Sequence, residues 1–163
     1  MDAKPFNEKY EYRSITWREC TIRTWLNKDF INRAFTVEEQ SAILLANVDN
    51  SSSQGYDKRG KSYSVDNTKD KVFLLSYAEA NKYLYVPHDD DNTKFRVVPT
   101  AYAKAQGAWM SDVDKTADGE VAGWWWSRSP GNDWSKALLF FHDGSFIYYD
   151  ADARGGVCAP LCG

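Results

Sequence analysis

The sequence predicts an α+β domain in which short helices surround a small twisted antiparallel sheet, and two features predict it. The first is the succession Ala137-Leu-Leu-Phe-Phe-His142, Asp143-Gly144, Ser145-Phe-Ile-Tyr-Tyr149. Two β-prone apolar runs around Asp-Gly are the strongest short-range hairpin signature a chain can carry. The second is a recurring box, Thr16-Trp-Arg-Glu19, Thr36-Val-Glu-Glu39 and Ser76-Tyr-Ala-Glu79. In such a box hydroxyl and carboxylate exchange hydrogen bonds with backbone amides and open a helix. A chain of 163 residues makes one domain, 1–163, with enough length to bury a core.

In order along the chain, 5–48 reads as a helical N-terminal part. A helix opens at Thr16, with Ile22, Trp25, Leu26 and Phe30 forming its apolar stripe. Such a stripe is core packing before it is a cofactor box. A shorter helix follows Thr36 to about Ile43, and Leu44 to Val48 reads as a short strand. Residues 49–70, rich in Ser, Asn, Gly, Asp and Lys, hold little to bury and form a long surface loop. The part 71–122 begins with a strand, Lys71-Val-Phe-Leu-Leu-Ser76, running into a helix to about Leu84. The acidic run His88-Asp-Asp-Asp-Asn92 is a solvated turn rather than an oxygen-ligand cation site, since it lacks the spacing and glycine of a calcium loop. Pro99 to Gly107 is an Ala-rich helix with Pro near its start and Gly at its stop. Asp112 to Gly119 is a charged loop.

The last part, 123–157, carries the sequence's anomaly. Trp124, Trp125 and Trp126 cannot share one face of a strand, so Trp125 points away from the other two. Ser127-Arg128-Ser129-Pro130-Gly131 then ends that strand. Arg128 could grip a carboxylate, but the plainer reading ties the loop to a buried acid or to carbonyls. In the hairpin, Leu138 to Phe141 and Phe146 to Tyr149 are apolar or aromatic at every position, where a half-buried strand alternates. Either both faces are covered by protein, or one face is an aromatic surface meant for a partner.

Composition narrows the function classes. Net charge is −3 with scattered basic residues, which points away from nucleic acid. Aromatics reach 15%, with seven Trp and ten Tyr, residue types that supply large rigid area in binding surfaces. No apolar stretch reaches the ~18 residues of a membrane span, and the polar N-terminus is no signal peptide. Cys20, Cys158 and Cys162 form no C-x-x-C, so free thiols are expected, and His88 and His142 lack ligand spacing to them. With no Gly-rich phosphate loop, nucleophile elbow or metal cluster, neither catalysis nor a cofactor is expected. His142 beside Asp143 could pass for a base and its orienter, yet neighbouring strand residues point apart and the turn uses Asp143 better.

Several blocks carry a resemblance: Trp17-Arg-Glu-Cys-Thr-Ile-Arg-Thr-Trp-Leu-Asn27, Ala34-Phe-Thr-Val-Glu-Glu-Gln40, Val48-Asp-Asn-Ser-Ser52, Asp70-Lys-Val-Phe-Leu-Leu-Ser76, Pro99-Thr-Ala-Tyr-Ala-Lys-Ala-Gln-Gly-Ala108 and Trp124-Trp-Trp-Ser-Arg-Ser-Pro-Gly131. They resemble, in family order from about Pro5 to Val157, a bacterial and phage domain family of unassigned function. That family is similar to the C-type-lectin fold in its formylglycine-generating-enzyme-like branch. Some members resemble the variable proteins of diversity-generating retroelements, in which a fixed scaffold displays a changeable face. The resemblance implies a structural motif Trp124, Trp125, Trp126, Arg128, Ser129, Pro130, Gly131. It also implies a variable face of Asn132, Asp133, Trp134, Ser135, Leu139, Phe141, His142, Ile147, Tyr149, Asp152 and Arg154. Leu138, Phe140, Phe146 and Tyr148 are then the inward set.

Family members usually begin with two further strands before the block at Pro5, and typically close on Gly-Val-Arg-Pro-Ala-Leu-Trp where this chain reads Gly156-Val-Cys-Ala-Pro-Leu-Cys-Gly163. One inserted base accounts for that ending. Absence of both terminal strands exposes a sheet edge and favours association, including a homo-oligomer. Calcium-dependent lectins use Glu-Pro-Asn or Gln-Pro-Asp with Trp-Asn-Asp, and none of these occurs. Cys158 and Cys162 lie in the altered tail and do not match an oxidase's cysteine pair. The expected function is a non-catalytic module binding a protein or other macromolecule through the hairpin, displayed on a phage particle or cell surface through a partner. The alternatives are a structural surface or tail-decoration protein with the hairpin buried in an assembly, and a calcium-independent glycan or small-molecule binder using Arg128 and the tryptophans.

Overall fold

Three adjacent tryptophans on one strand force apolar layers onto both sides of it. A computed structural model of the chain describes residues 3–13, 15–56, 65–84, 93–116, 118–131 and 135–154. It is a mixed α+β architecture of short helices and small antiparallel sheets. The acidic run at 88–92, the tail from 155 and Cys158 and Cys162 lie outside the described residues.

The central sheet has the order β5-β6-β7, from Trp125–Pro130, Lys136–Phe140 and Phe146–Asp150. Trp125 pairs with Phe140 and Trp126 with Leu139, while Leu139 pairs with Ile147. One face carries Trp124, Trp126, Ala137 and Leu139 and packs on Phe6, Trp17, Ile22 and Leu26. The other carries Trp125, Leu138 and Phe140 and packs on Leu75, Ala80 and Phe95. The opposed tryptophans therefore both belong to cores, and Trp125 stacks on Phe140 with ring centroids 4.3 Å apart. Burial on both faces explains why β6 is continuously apolar. The expectation that Leu139 faces outward is corrected: it is 1% exposed.

The hairpin turn departs from a two-residue Asp-Gly loop. The Gly144 amide donates to Phe141 O at 3.0 Å and the Phe141 amide to Ser145 O at 2.7 Å. Gly144 alone in the loop takes a positive φ, +87°. This is a three-residue loop closing on a left-handed glycine, a form compatible with strand twist. Asp143 holds the Ser145 amide at 2.8 Å.

The N-terminal layer runs α1 (Thr21–Trp25), a π-helical turn (Leu26–Phe30) and α2 (Ile31–Ala34), then α3 (Val37–Ala42). The box at Thr36 forms as expected, but the one at Thr16 does not. Thr16 O accepts the Glu19 and Cys20 amides in a turn, while the Glu19 carboxylate pairs with Arg13. The helix starts at Thr21 because the preceding segment caps it: Asn7 Oδ1 accepts the Thr21 amide at 3.2 Å and Phe6 O the Ile22 amide at 3.2 Å.

β1 (Ala46–Val48) pairs with β2 (Thr68–Asp70), so the stretch expected as surface loop ends in a strand. Asp70 is 1% exposed and collects Trp17 Nε1, Arg23 Nε and Thr68 Oγ1 at 3.0, 2.7 and 2.6 Å. Residues 71–76 belong to no strand, and the chain bends at Lys71 and Val72. Side chains take over the role of a ladder there: Asn27 Oδ1 accepts the Lys71 and Val72 amides, and its Nδ2 donates to Val72 O. α4 (Tyr77–Tyr83) opens on the box at Ser76, and α5 (Ala101–Ala105) on Thr100. The first part of the charged stretch expected as loop, Asp112–Lys115, instead belongs to β3 (Met110–Lys115), paired with β4 (Val121–Gly123).

Cys20 is wholly buried and donates its thiol to Trp17 O at 3.2 Å. Burial pushes that thiol up to about 12, despite the opposing pull of Arg23. In the unfolded chain a thiol ionises near ~8.5. The contribution of neutral Cys20 is therefore full below that value and is lost as pH rises toward the folded one. Urea midpoints compared at pH 7 and pH 10 should fall more for the native chain than for Cys20→Ala. Equal losses would show that burial of the thiol has no part in the alkaline destabilisation.

Candidate functional site

Odd-numbered residues of the hairpin share one face, and at its outer end that face is not fully covered. Leu139, Phe141, Ile147 and Tyr149 line an open concavity of about 300 Å³ with Trp109, Trp124, Ala153 and Arg154. Trp109, brought across by β3, lies parallel to Phe141 at 6.2 Å between centroids, with an 11° interplanar angle. Trp124 flanks Tyr149 at 6.3 Å. Tyr149 and Trp109 remain 46% and 44% exposed, so the rim presents rings rather than sealing them. A wider, more open concavity of about 590 Å³ shares Trp109 and Arg154 with it and is lined also by Met110 and Val121.

His142 stands beside this rim. Its ring lies 4.0 Å from Phe141 and 4.8 Å from Trp109, and its Nδ1 meets Asp114 Oδ2 at 2.5 Å. Asp114, not Asp143, is its partner. Ser111 Oγ donates to the same Asp114 oxygen at 3.0 Å. A hydroxyl engaged with the carboxylate rather than with the imidazole is not arranged as a nucleophile activated by a base. The Asp143 carboxyl, disfavoured by burial, is nonetheless held below the usual carboxylate range by the Ser145 hydroxyl and amide and by nearby His142.

Of the remaining residues expected on the face, Ser135 is corrected. It is 4% exposed, with φ +58°, and its backbone is tied to Arg13 O and to the Ala151 amide. Asp152 is exposed but does not line the cleft. Asn132, Asp133 and Trp134 lie outside the described residues.

The motif after the tryptophans is internal. Arg128, 2% exposed, grips Glu79 through both terminal nitrogens. It also donates to Leu74 O at 3.0 Å and Asp49 O at 2.9 Å. Glu79 at the same time accepts the Ser76 amide in the helix box. Ser129 Oγ donates to Gln54 O and accepts the Tyr77 amide. Gly131 lies so close to Lys136 that a Cβ there would come within 2.3 Å of its carbonyl oxygen. Pro130 closes β5 opposite Ala137. Arg128, Trp125 and Trp126 are thus unavailable to a glycan or small molecule.

A family described as a domain of unknown function, DUF6273, matches residues 2–158. The chain belongs to that family. No curated protein and no solved structure matches it. Among the described residues of this DUF6273 domain, no helix is long and apolar enough to cross a membrane.

Trp109 and Asp114 escaped the sequence reading. Asp114 lies in the stretch expected to be a loop, Trp109 between that stretch and the expected helix, and the β3–β4 hairpin with the residue before it brings them to the C-terminal face. An aromatic two residues after the helix-stopping Gly107 was the one clue, and residue type alone did not set it apart from the domain's other tryptophans.

Arg128→Ala strands Glu79, whose side chain is only 23% exposed, and frees Asp49 and Leu74 carbonyls. Loss of one partner of a buried pair destabilises by about 3–5 kcal/mol. The unfolding free energy in urea should drop by that order. Arg128→Lys should recover only part of it, because a single ammonium cannot replace the planar fork.

Proposed function

We propose that this DUF6273 domain is a non-catalytic ligand-binding module that takes an apolar or aromatic side chain of a protein partner in the cleft on its C-terminal hairpin. The observation that carries the reading is the convergence of Trp109, Trp124, Phe141, Ile147 and Tyr149 on one open concavity. Other large aromatics of the chain, Trp17, Trp125, Trp126 and Phe140 among them, are spent inside. Exposed aromatic concavities of this kind accept anchor residues, and a few central rings dominate such interfaces. The cleft wall is a hairpin locked to the core by β6, so little ordering opposes binding. Arg154, exposed on the rim, offers a guanidinium to a carboxylate beside the anchor.

On this reading the fold is C-type-lectin-like, and the hairpin face is the display surface of a retroelement-type variable protein. The concentration of six of the eight cleft residues in 139–154 supports it, with the buried arginine–glutamate pair of Arg128 and Glu79 as the fixed scaffold. A second reading is favoured by the place of β7, an edge strand of its sheet among the described residues: this side of the domain is covered in an assembly of copies or with another surface protein.

The test selects peptides from a random display library on the immobilised domain and measures the winners by calorimetry. Burial of one ring contributes about 1.5–3 kcal/mol, so Tyr149→Ala and Phe141→Ala should each weaken binding roughly tenfold or more. Unchanged affinity in Tyr149→Ala, with its circular dichroism intact, removes the cleft as the binding site. Sedimentation of the free domain separates the readings: a monomer accords with display, an obligate oligomer with assembly.

A further inference from the structure

Away from the hairpin tip, the turn at Thr16, the loop after β1 and strand β5 meet around a small, partly open recess. Thr16, Asp49, Asn50, Gln54 and Arg128 are among its lining residues, and its volume is about 10 Å³. That is roughly the space of one water molecule. Three of the lining side chains have a buried polar atom without a protein partner: Thr16 Oγ1, Asn50 Oδ1 and Arg128 Nε. These residues are 7%, 8% and 2% exposed. A buried polar atom left unpaired retains its whole desolvation penalty, so three around one small cavity point to a ligand that satisfies them together.

We propose that this cavity binds a single ordered water held by Thr16, Asn50 and Arg128. The inference does not depend on the hairpin cleft. The donor and acceptor count closes on one molecule. Arg128 Nε–H donates to the water oxygen, and the two water hydrogens go to Asn50 Oδ1 and Thr16 Oγ1. The orientation of the Asn50 amide is fixed independently, because its Nδ2 donates to Asp66 O at 3.1 Å and Thr68 Oγ1 at 3.2 Å. Its Oδ1 is therefore the atom left to accept. Other occupants fit less well. A cation would face the Arg128 guanidinium, a monatomic anion would face Asn50 Oδ1 and the Asp49 carboxylate, and a polyatomic ion exceeds the volume.

Such a water ties the turn before α1 to two segments already bonded directly to each other, the chain leaving β1 and β5, which meet through Arg128 with Asp49 O and Ser129 with Gln54 O. It completes the coordination of Arg128, whose other two nitrogens already hold Glu79, Leu74 O and Asp49 O. A bridging water of this kind contributes nearly as much as a direct hydrogen bond.

The sign of one substitution decides. Thr16→Val keeps shape and removes the hydroxyl. If the water is bound, the variant leaves it a partner short, and the folded-to-unfolded ratio in urea should fall roughly tenfold. If Thr16 Oγ1 is simply an unpaired hydroxyl, removing it leaves stability unchanged or raised, and the proposal is overturned. A crystal structure of the unaltered domain decides independently of how the variant folds. Density for one water within hydrogen-bond distance of all three atoms supports the proposal. An ion there, or the three atoms bonded to protein groups, overturns it.

Discussion

A guanidinium removed from water is tolerable only where oxygens surround it, and in this domain that requirement fixes the neighbourhood of Arg128. Its acceptors come from three places in the chain: the carbonyl of Asp49 after β1, that of Leu74 before α4, and the carboxylate of Glu79 within α4. Each would otherwise be a loosely placed loop or a helix end. Glu79 is shared between Arg128 and the first turn of α4, so the same carboxylate starts a helix and neutralises a buried cation. Burial of both together avoids the uncompensated charge that either alone would leave.

The consequences run outward through hydrogen bonds. The loop from Asp49 to Gln54 is held by Asp49 itself, whose carboxyl is kept low chiefly by the Ser51 amide, against burial, and further by Ser51, Gln54 and Arg128. Gln54 Oε1 then accepts Ser76 Oγ, and Gln54 O accepts Ser129 Oγ. Tyr56, at the end of that loop, sets its ring 4.5 Å from Phe146 and 5.2 Å from Tyr77. The back of the hairpin is thereby supported from a polar knot on the other side of β5.

What could be read from the sequence was what local chemistry decides. The boxes at Thr36 and Ser76, the helix stop at Gly107 and the hairpin around Asp143-Gly144 each depend on residues within a few positions. The box at Thr16 has the same letters and failed: the Glu19 amide goes to Thr16 O, its carboxylate to Arg13, and the helix opens further on at Thr21, where Asn7 and Phe6 take its first amides. No local pattern reports a cap supplied from fourteen residues away. The strand expected at 71–76 failed for a related reason: Asn27 offers it the bonds a neighbouring strand would have offered. At the site, alternation along the hairpin correctly grouped Leu139, Phe141, Ile147 and Tyr149, since a period of two is intrinsic to the strand. Depth of burial along that row was not legible, because it depends on what packs above each position.

That covering layer also accounts for where the cleft lies. On one face of the sheet, Leu75, Phe95, Tyr77 and Tyr56 follow β6 and β7 to the turn, with Tyr77 over Phe140 and Phe146. On the other face, the N-terminal helices cover Trp126, Ala137 and Leu139 but meet Phe141 and Ile147 only in part. Ile147 and Tyr149 on β7 stand opposite the buried Leu139 and Ala137 of β6 yet are only partly covered themselves, so cover falls away across the sheet toward β7 as well as at Phe141. Trp109, the residue before β3, reaches across the gap and shields Phe141 from one side without closing the concavity. Burial of the remaining surface would stabilise the domain, and its own chain supplies no further described residue to do it. The unspent apolar area is then available to a partner, which is the physical basis for treating this end of the hairpin, rather than the tryptophan strand behind it, as the working surface.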